Sequence, residues 1–246
     1  NSLSSEIQRI LYNQVLHREI LHKFKDENYP DFIYERASNY SVAGVLVAKA
    51  FKRPIVLELN APLTLEQSIY RTTLLPDLLE KTEKFVYRQA DIIVTVSLPL
   101  RDYVISLGIS PSKVYVLANG VDPNLFKVAP VNTSLKKQLG LSHNLTLGFV
   151  GGFRPWHGVE ILPQLLKRLI KDYPQLKVLI LGDGPLKSNL QSDFKKIKLE
   201  DKVVFIQNVS HERVPDLIRL IVVALAPYRK SEHQFYFSPL KLFEYM

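Results

Sequence analysis

The chain has 246 residues, 46% of them hydrophobic and 23% charged, with no cysteine and a net charge of +8 from 32 Lys and Arg against 24 Asp and Glu. This is the composition of a globular protein of one large or two ordinary domains; it excludes a disulfide scaffold and a thiolate metal site, and no apolar run approaches the roughly 18 residues a membrane-spanning helix needs. The basic balance points to an anionic partner, and nucleic acid ranks last because no helix-turn-helix, zinc-finger or basic-aromatic pattern occurs.

The first element is an amphipathic helix: Ile7, Ile10, Leu11, Val15, Leu16, Ile20, Leu21 and Phe24 make an apolar stripe, with Arg18, His22, Lys23 and Lys25 nearby. It is expected to pack on a sheet; peripheral contact with an anionic membrane stays open as a second reading. Strands then alternate with helices: a strand at 31–34, a helix over 40–50, a strand at 54–59, a long helical region over 64–89, a strand at 91–96, a helix over 98–107 and a strand at 114–117. That rhythm predicts a parallel sheet with crossover helices. The turn-rich Asn119-Gly120-Val121-Asp122-Pro123 and a polar stretch to 144 mark a domain break, which divides the chain into 1–128 and 129–246. The alternation restarts with strands at 145–150, 176–181, 203–206 and 221–225, helices over 158–172, 185–197 and 211–219, and a last helix from Pro239 to Met246. No secretory signal pattern opens the chain, so the expected location is cytoplasmic, and the sequons at Asn39, Asn132, Asn144 and Asn208 read as chance.

The most informative segment runs from Gly148 to Gly158, where an apolar strand enters a glycine-rich, cationic turn ahead of a helix. Gly151 and Gly152 would let a ligand approach the backbone, and free N–H groups at the helix start would face an anion. Arg154 and His157 add charge or hydrogen bonds, and Trp156 a wall. An ordinary strand-to-helix loop fits the same residues.

Four motifs in register carry a resemblance: Asn119-Gly120-Val121-Asp122 with Phe126; Gly148 to Gly151 with His157-Gly158; Gly182-Asp183-Gly184-Pro185; and Ser238 to Glu244-Tyr245-Met246. Over the span from Asp31 to the last residue the chain resembles glycosyltransferase family 4. The resemblance implies an α/β protein of GT-B architecture, two Rossmann-like domains with parallel sheets facing across a cleft. Both would be incomplete here, as in an internal fragment or the ordered part of a longer enzyme. It also implies retaining transfer of a hexose from a nucleotide-diphosphate sugar, UDP-linked by preference, to a glycan or lipid-linked acceptor. A non-catalytic nucleotide-sugar binder and a GT-B epimerase are the alternatives.

Carried over residue by residue, Glu244 matches the second glutamate of the family's E-x7-E motif and should accept hydrogen bonds from the ribose. The first glutamate falls on Tyr236, a departure. Ser238, Leu240 and Lys241 would meet the diphosphate, with Lys241 equally readable as a surface charge, and Asn208 and Val209 would hold the base through main-chain groups. Gly152 and His157 stand where relatives place arginine and lysine, and Arg154 is the expected compensating cation. In the first domain Asn60 is expected at the transferred sugar, and Glu35, Arg36 and Asn39 near the acceptor; structural roles in strand-to-helix loops fit each of them as well. The histidines show no metal spacing and no Asp-x-Asp pair occurs, so neither metal nor cofactor is expected, and no catalytic nucleophile is assigned.

Overall fold

The computed structural model describes residues 3–24, 29–70, 73–143, 145–228 and 235–246, with the side chain of Tyr70 excepted. Lys25 and the sequon residue Asn144 lie outside them. The chain forms two compact units, Asn1–Asn119 with His233–Ser238, and Gly120–Glu232 with Pro239–Met246.

The first unit begins with α1 (Leu3–Lys23) and continues through β1 (Ile33–Arg36), α2 (Ala43–Phe51), β2 (Ile55–Leu59), α3 (Leu63–Tyr70), α4 (Pro76–Gln89), β3 (Ile92–Thr95), α5 (Leu98–Ser106) and β4 (Val114–Val116). Its four strands pair in parallel in the order β1-β2-β3-β4, in register from Ile33 opposite Ile55 and from Val56 opposite Ile92. The alternating pattern of β2 buries Ile55, Leu57 and Leu59. They join Ile93, Val45, Val86, Tyr87 and Leu100 in one core. The helical region expected over 64–89 is two helices. Pro76 fits the first turn of α4, where its missing N–H costs nothing.

α1 sits differently from the sequence expectation. It packs on α2, and the side chains it buries are polar: Glu6, 2% exposed, and Asn13. Glu6 accepts hydrogen bonds from the N–H groups of Leu74 and Leu75 at the start of α4 and from the Tyr40 hydroxyl. Asn13 accepts from the N–H groups of Val42 and Ala43 at the start of α2 and donates to the Tyr40 carbonyl. Both satisfy helix-end donors that have no partner within their own helix. Ile7, Leu11 and Val15 of the apolar stripe are exposed.

The second unit contains α6 (Thr133–Gln138), β5 (Thr146–Val150), α7 (Leu162–Leu169), β6 (Lys177–Leu181), α8 (Lys187–Lys196), β7 (Val203–Ile206), α9 (Val214–Ile218), β8 (Val223–Ala224) and α10 (Leu240–Tyr245). Its parallel sheet has the order β7-β6-β5-β8. β5 is buried along its whole length, as a central parallel strand covered on both faces must be. Alternate residues point to opposite layers: Phe149, Val178 and Ile180 pack with Leu162, Leu166 and Phe194, while Val150, Leu179 and Leu181 pack with Leu217 and Leu220. The α/β class with two parallel sheets is the one the sequence implied.

Candidate functional site

In an open parallel α/β sheet, ligands meet the loops beyond the carboxyl ends of the strands. In the second unit those loops close on one another. The N–H of Gly151 donates to the Leu181 carbonyl and that of Phe153 to the Asp183 carbonyl, both at 2.9 Å. Gly182, at φ +136°, comes so near that a Cβ would stand 2.1 Å from the Gly151 oxygen, so only glycine fits. Gly151 is at φ +138°, and a Cβ there would lie 3.2 Å from Cε of Lys241. The glycine thus makes room for a lysine.

The segment after Gly152 does not run directly into a helix, as the sequence suggested. Arg154, extended ahead of Pro155, leads into a 3-10 turn over Pro155–His157, and Gly158 ends it at φ +67°. A second 3-10 turn, Val159–Ile161, precedes α7. The N–H groups that open α7 therefore belong to residues well beyond the glycine pair.

Lys241 is not a surface charge. It is 7% exposed, its ammonium lies 4.7 Å from the ring centroid of Tyr228 and 5.2 Å from that of Phe149, and it donates to the Tyr228 hydroxyl at 3.0 Å. Among the described residues it forms no ion pair. Burial lowers its pKa from 10.5 to about 8, against a smaller raising effect of Glu244. His157 stands beside it, edge-on to Tyr228 with ring centroids 5.7 Å apart, and its Nδ1 bonds the Gly152 carbonyl. Burial, with Lys241 and Arg154 close by, depresses its pKa despite that bond. At neutral pH the imidazole is uncharged, so His157 fixes the loop and supplies no standing cation. Arg154 is exposed.

Other carried-over residues are dispersed. Glu244 is half-buried, and burial raises its pKa against the pull of His211 and Lys241. It lines a pocket of about 340 Å³ with Phe126, Ile218, Val222 and Tyr245. The Tyr245 hydroxyl accepts from the Val150 N–H at 2.8 Å, tying α10 to the end of β5. Leu240 is exposed at the start of α10. Asn208 is exposed with φ 52°, which asparagine tolerates, and Val209 packs on the core. Ser238 belongs to the first unit, where its Oγ and carbonyl accept from the backbone and side-chain N–H groups of Asn119. Tyr236, in place of the family's first glutamate, is buried in the core of the first unit, and its carbonyl accepts from the Ser97 hydroxyl at 2.6 Å.

In the first unit Glu35, Arg36 and Asn39 line a groove of about 890 Å³, together with Arg9 and Tyr12 of α1 and Gln67 of α3. The Glu35 carboxylate is turned to the start of α2: it accepts from the Ser41 hydroxyl, and its Oε2 occupies the space a side chain at Gly44 would fill. Burial raises its pKa. Arg36, Tyr34 and Asn60 converge on Glu58, with donors 2.7–3.0 Å from its carboxylate oxygens. Burial raises the Glu58 pKa, but the hydrogen bonds from Asn60, Tyr34 and Arg36 outweigh it and hold it below the usual value. The Asn60 amide nitrogen is thus engaged within the protein. Among the described residues no three His, Asp or Glu side chains gather as a metal site, and no helix is long and apolar enough to cross a membrane.

Sequence reasoning missed Tyr228, Phe149, Arg9 and Tyr12. Tyr228 had a signal: it follows the apolar run 221–225, so it lies in a loop at the same sheet edge as Gly151, although that run, expected as a buried strand, pairs only at Val223–Ala224 and leaves Val222 and Val223 exposed.

The fold, two α/β units each with a parallel four-stranded sheet, is that of GT-B proteins. The structure aligns with that of Anabaena HepE in complex with UDP-glucose at a TM-score of 0.70 and 23% identity, covering 85% of this chain and 55% of that one. The "Glycosyltransferase Family 4" model matches residues 2–125 and "Glycosyl transferases group 1" residues 131–244. The chain belongs to glycosyltransferase family 4. A Campylobacter jejuni N-acetylgalactosamine-N,N'-diacetylbacillosaminyl-diphospho-undecaprenol 4-alpha-N-acetylgalactosaminyltransferase is 30% identical over 179 residues, 72% of this chain and 45% of the relative. An Arabidopsis thaliana phosphatidylinositol N-acetylglucosaminyltransferase polypeptide is 28% identical over 115 residues, 47% of this chain and 24% of the relative. The chain thus spans under half the length of these curated relatives.

Proposed function

We propose that this chain is part of a retaining glycosyltransferase that moves a hexose from a UDP-linked donor to a glycan or lipid-linked acceptor. The single observation that carries the donor side is Lys241, a buried cation against the glycine loop with no carboxylate paired to it among the described residues. As the nucleotide leaves, negative charge grows on the diphosphate, and a preorganised cation in a low-dielectric setting stabilises it. Gly151, Gly152 and His157 shape that site, Asn208 and Val209 the base end, and Glu244 the ribose end. The cation does the work a divalent metal does elsewhere, so transfer is expected without metal.

The acceptor side is assigned to the groove holding Glu35, Arg36 and Asn39, with Asn60 nearer the sugar. Its mix of hydrogen-bonding groups and the exposed ring of Tyr12 suits a sugar, whose hydroxyls need polar partners and whose apolar face stacks on an aromatic. The Campylobacter and Arabidopsis relatives, named for transfer to lipid-linked acceptors, support a lipid-linked glycan. The alternative of a silent binder draws on Tyr236, which replaces a ligand carboxylate with a core side chain.

Calorimetry of the full-length protein with UDP-, GDP- and ADP-sugars in the presence of a chelator tests the reading. One donor is expected to bind; failure of all of them would contradict it. An acceptor-library assay with the bound donor then separates transfer from silent binding.

A further inference from the structure

The groups against the Lys241 side chain come from beyond its own helix: Gly151 and Phe149 at the end of β5 and Tyr228 after β8, with His157, in the turn after β5, set edge-on to Tyr228. Tyr228 alone among them contacts the ammonium in two ways, by its ring face at 4.7 Å and by its hydroxyl at 3.0 Å. A buried ammonium needs such partners to stay charged, because desolvation favours the neutral amine. The side chain of lysine has four rotatable bonds, and without a fixed acceptor its charge would not be held at one place. Phe149 offers the second face and no hydrogen bond.

We infer that Tyr228 is a positioning residue for the donor diphosphate: its ring and hydroxyl hold the Lys241 ammonium against the Gly151–Gly152 loop and keep it protonated. The inference rests on the donor-site reading of Lys241 given above. The titratable groups coupled to this lysine are His157 from the turn after β5, itself beside Arg154, and Glu244 from the lysine's own helix. None of them offers the ammonium both a ring face and an acceptor.

The test is the affinity of the full-length protein for UDP from about pH 7 to about pH 9.5, for wild type, Tyr228→Phe and Lys241→Met, with thermal unfolding of each as a folding control. Wild-type affinity should fall as pH rises past about 8, where the lysine loses its proton. Lys241→Met should bind about 10-fold or more weakly at neutral pH and lose that fall. Tyr228→Phe keeps the ring and removes only the acceptor, so its alkaline fall should begin about one pH unit lower, with an affinity loss of about 5-fold near pH 8. If Tyr228→Phe superimposes on wild type while Lys241→Met is weakened, the lysine keeps its role and the positioning by Tyr228 is overturned. If Lys241→Met binds UDP as wild type does, the donor-site reading of the lysine fails, and the inference with it.

Discussion

The two units treat buried charge in opposite ways. In the first, Glu6 is buried and satisfied, its carboxylate accepting from two backbone N–H groups and a phenol, and Glu83 accepts from the hydroxyls of Tyr87 and Tyr103. In the second, Lys241 is comparably deep but meets ring faces and one hydroxyl, with no carboxylate paired to it among the described residues. A charge whose hydrogen bonds are complete within the fold is structural, because its desolvation is already offset. A charge left without a counter-ion is held at a cost to stability, and a ligand of opposite charge removes that cost. The contrast separates residues that hold the molecule together from those that hold its substrate.

The largest effects should come from removing each charge in turn. Lys241→Met is expected to weaken UDP binding by about 10- to 100-fold, the loss of a charged hydrogen bond of about 1.5–3 kcal/mol, without lowering the unfolding free energy. Glu6→Ala should do the reverse, lowering the unfolding free energy by about 1–3 kcal/mol because helix-start donors lose their acceptor, while UDP affinity is unchanged. Calorimetry and chemical denaturation on the same two variants check both, and a large binding defect in Glu6→Ala would break the contrast.

The same contrast has a pH signature. Burial opposes ionisation of Glu6, but its hydrogen bonds hold the folded pKa below 4.5, so its contribution is present above the unfolded value and lost as pH falls through the folded one. Lys241 has the opposite sense: its folded pKa near 8 lies below 10.5, the unfolded chain binds more protons between them, and ligand-free stability rises with pH across that window. Denaturation curves at several pH values should show the acid-side loss reduced in Glu6→Gln and the alkaline rise missing in Lys241→Met. The smallest effect belongs to Arg154→Ala, expected to change UDP affinity by less than about 3-fold, as exposed charges generally do. A 10-fold loss would return Arg154 to the role of compensating cation.

Much of the frame was legible in the sequence because strand-and-turn chemistry is local. Apolar runs such as 145–150 and 176–181 marked the buried strands, and the glycine pair at 151–152 marked the loop after β5. What was not legible depends on distance in sequence. The apolar stripe of α1 drew attention away from Glu6 and Asn13, whose partners lie 68 and 29 residues away. The resemblance brought Lys241 to the diphosphate beside Arg154, but its burial was not legible: it arrives from 90 residues beyond Gly151, and its depth is set by Tyr228 and Phe149, which no spacing rule ties to it. The helix expected at 158 begins late because Pro155 and Gly158 impose a tight turn first.

Whether Lys241 is a buried cation reserved for the donor's diphosphate is tested most directly by the lysine's own titration, followed by NMR in the full-length protein with and without UDP. A pKa of about 8 in the free protein, moving up toward 10.5 when UDP binds, is the predicted result. An ordinary lysine value in the free protein, or a depressed one that UDP leaves unmoved, would contradict it.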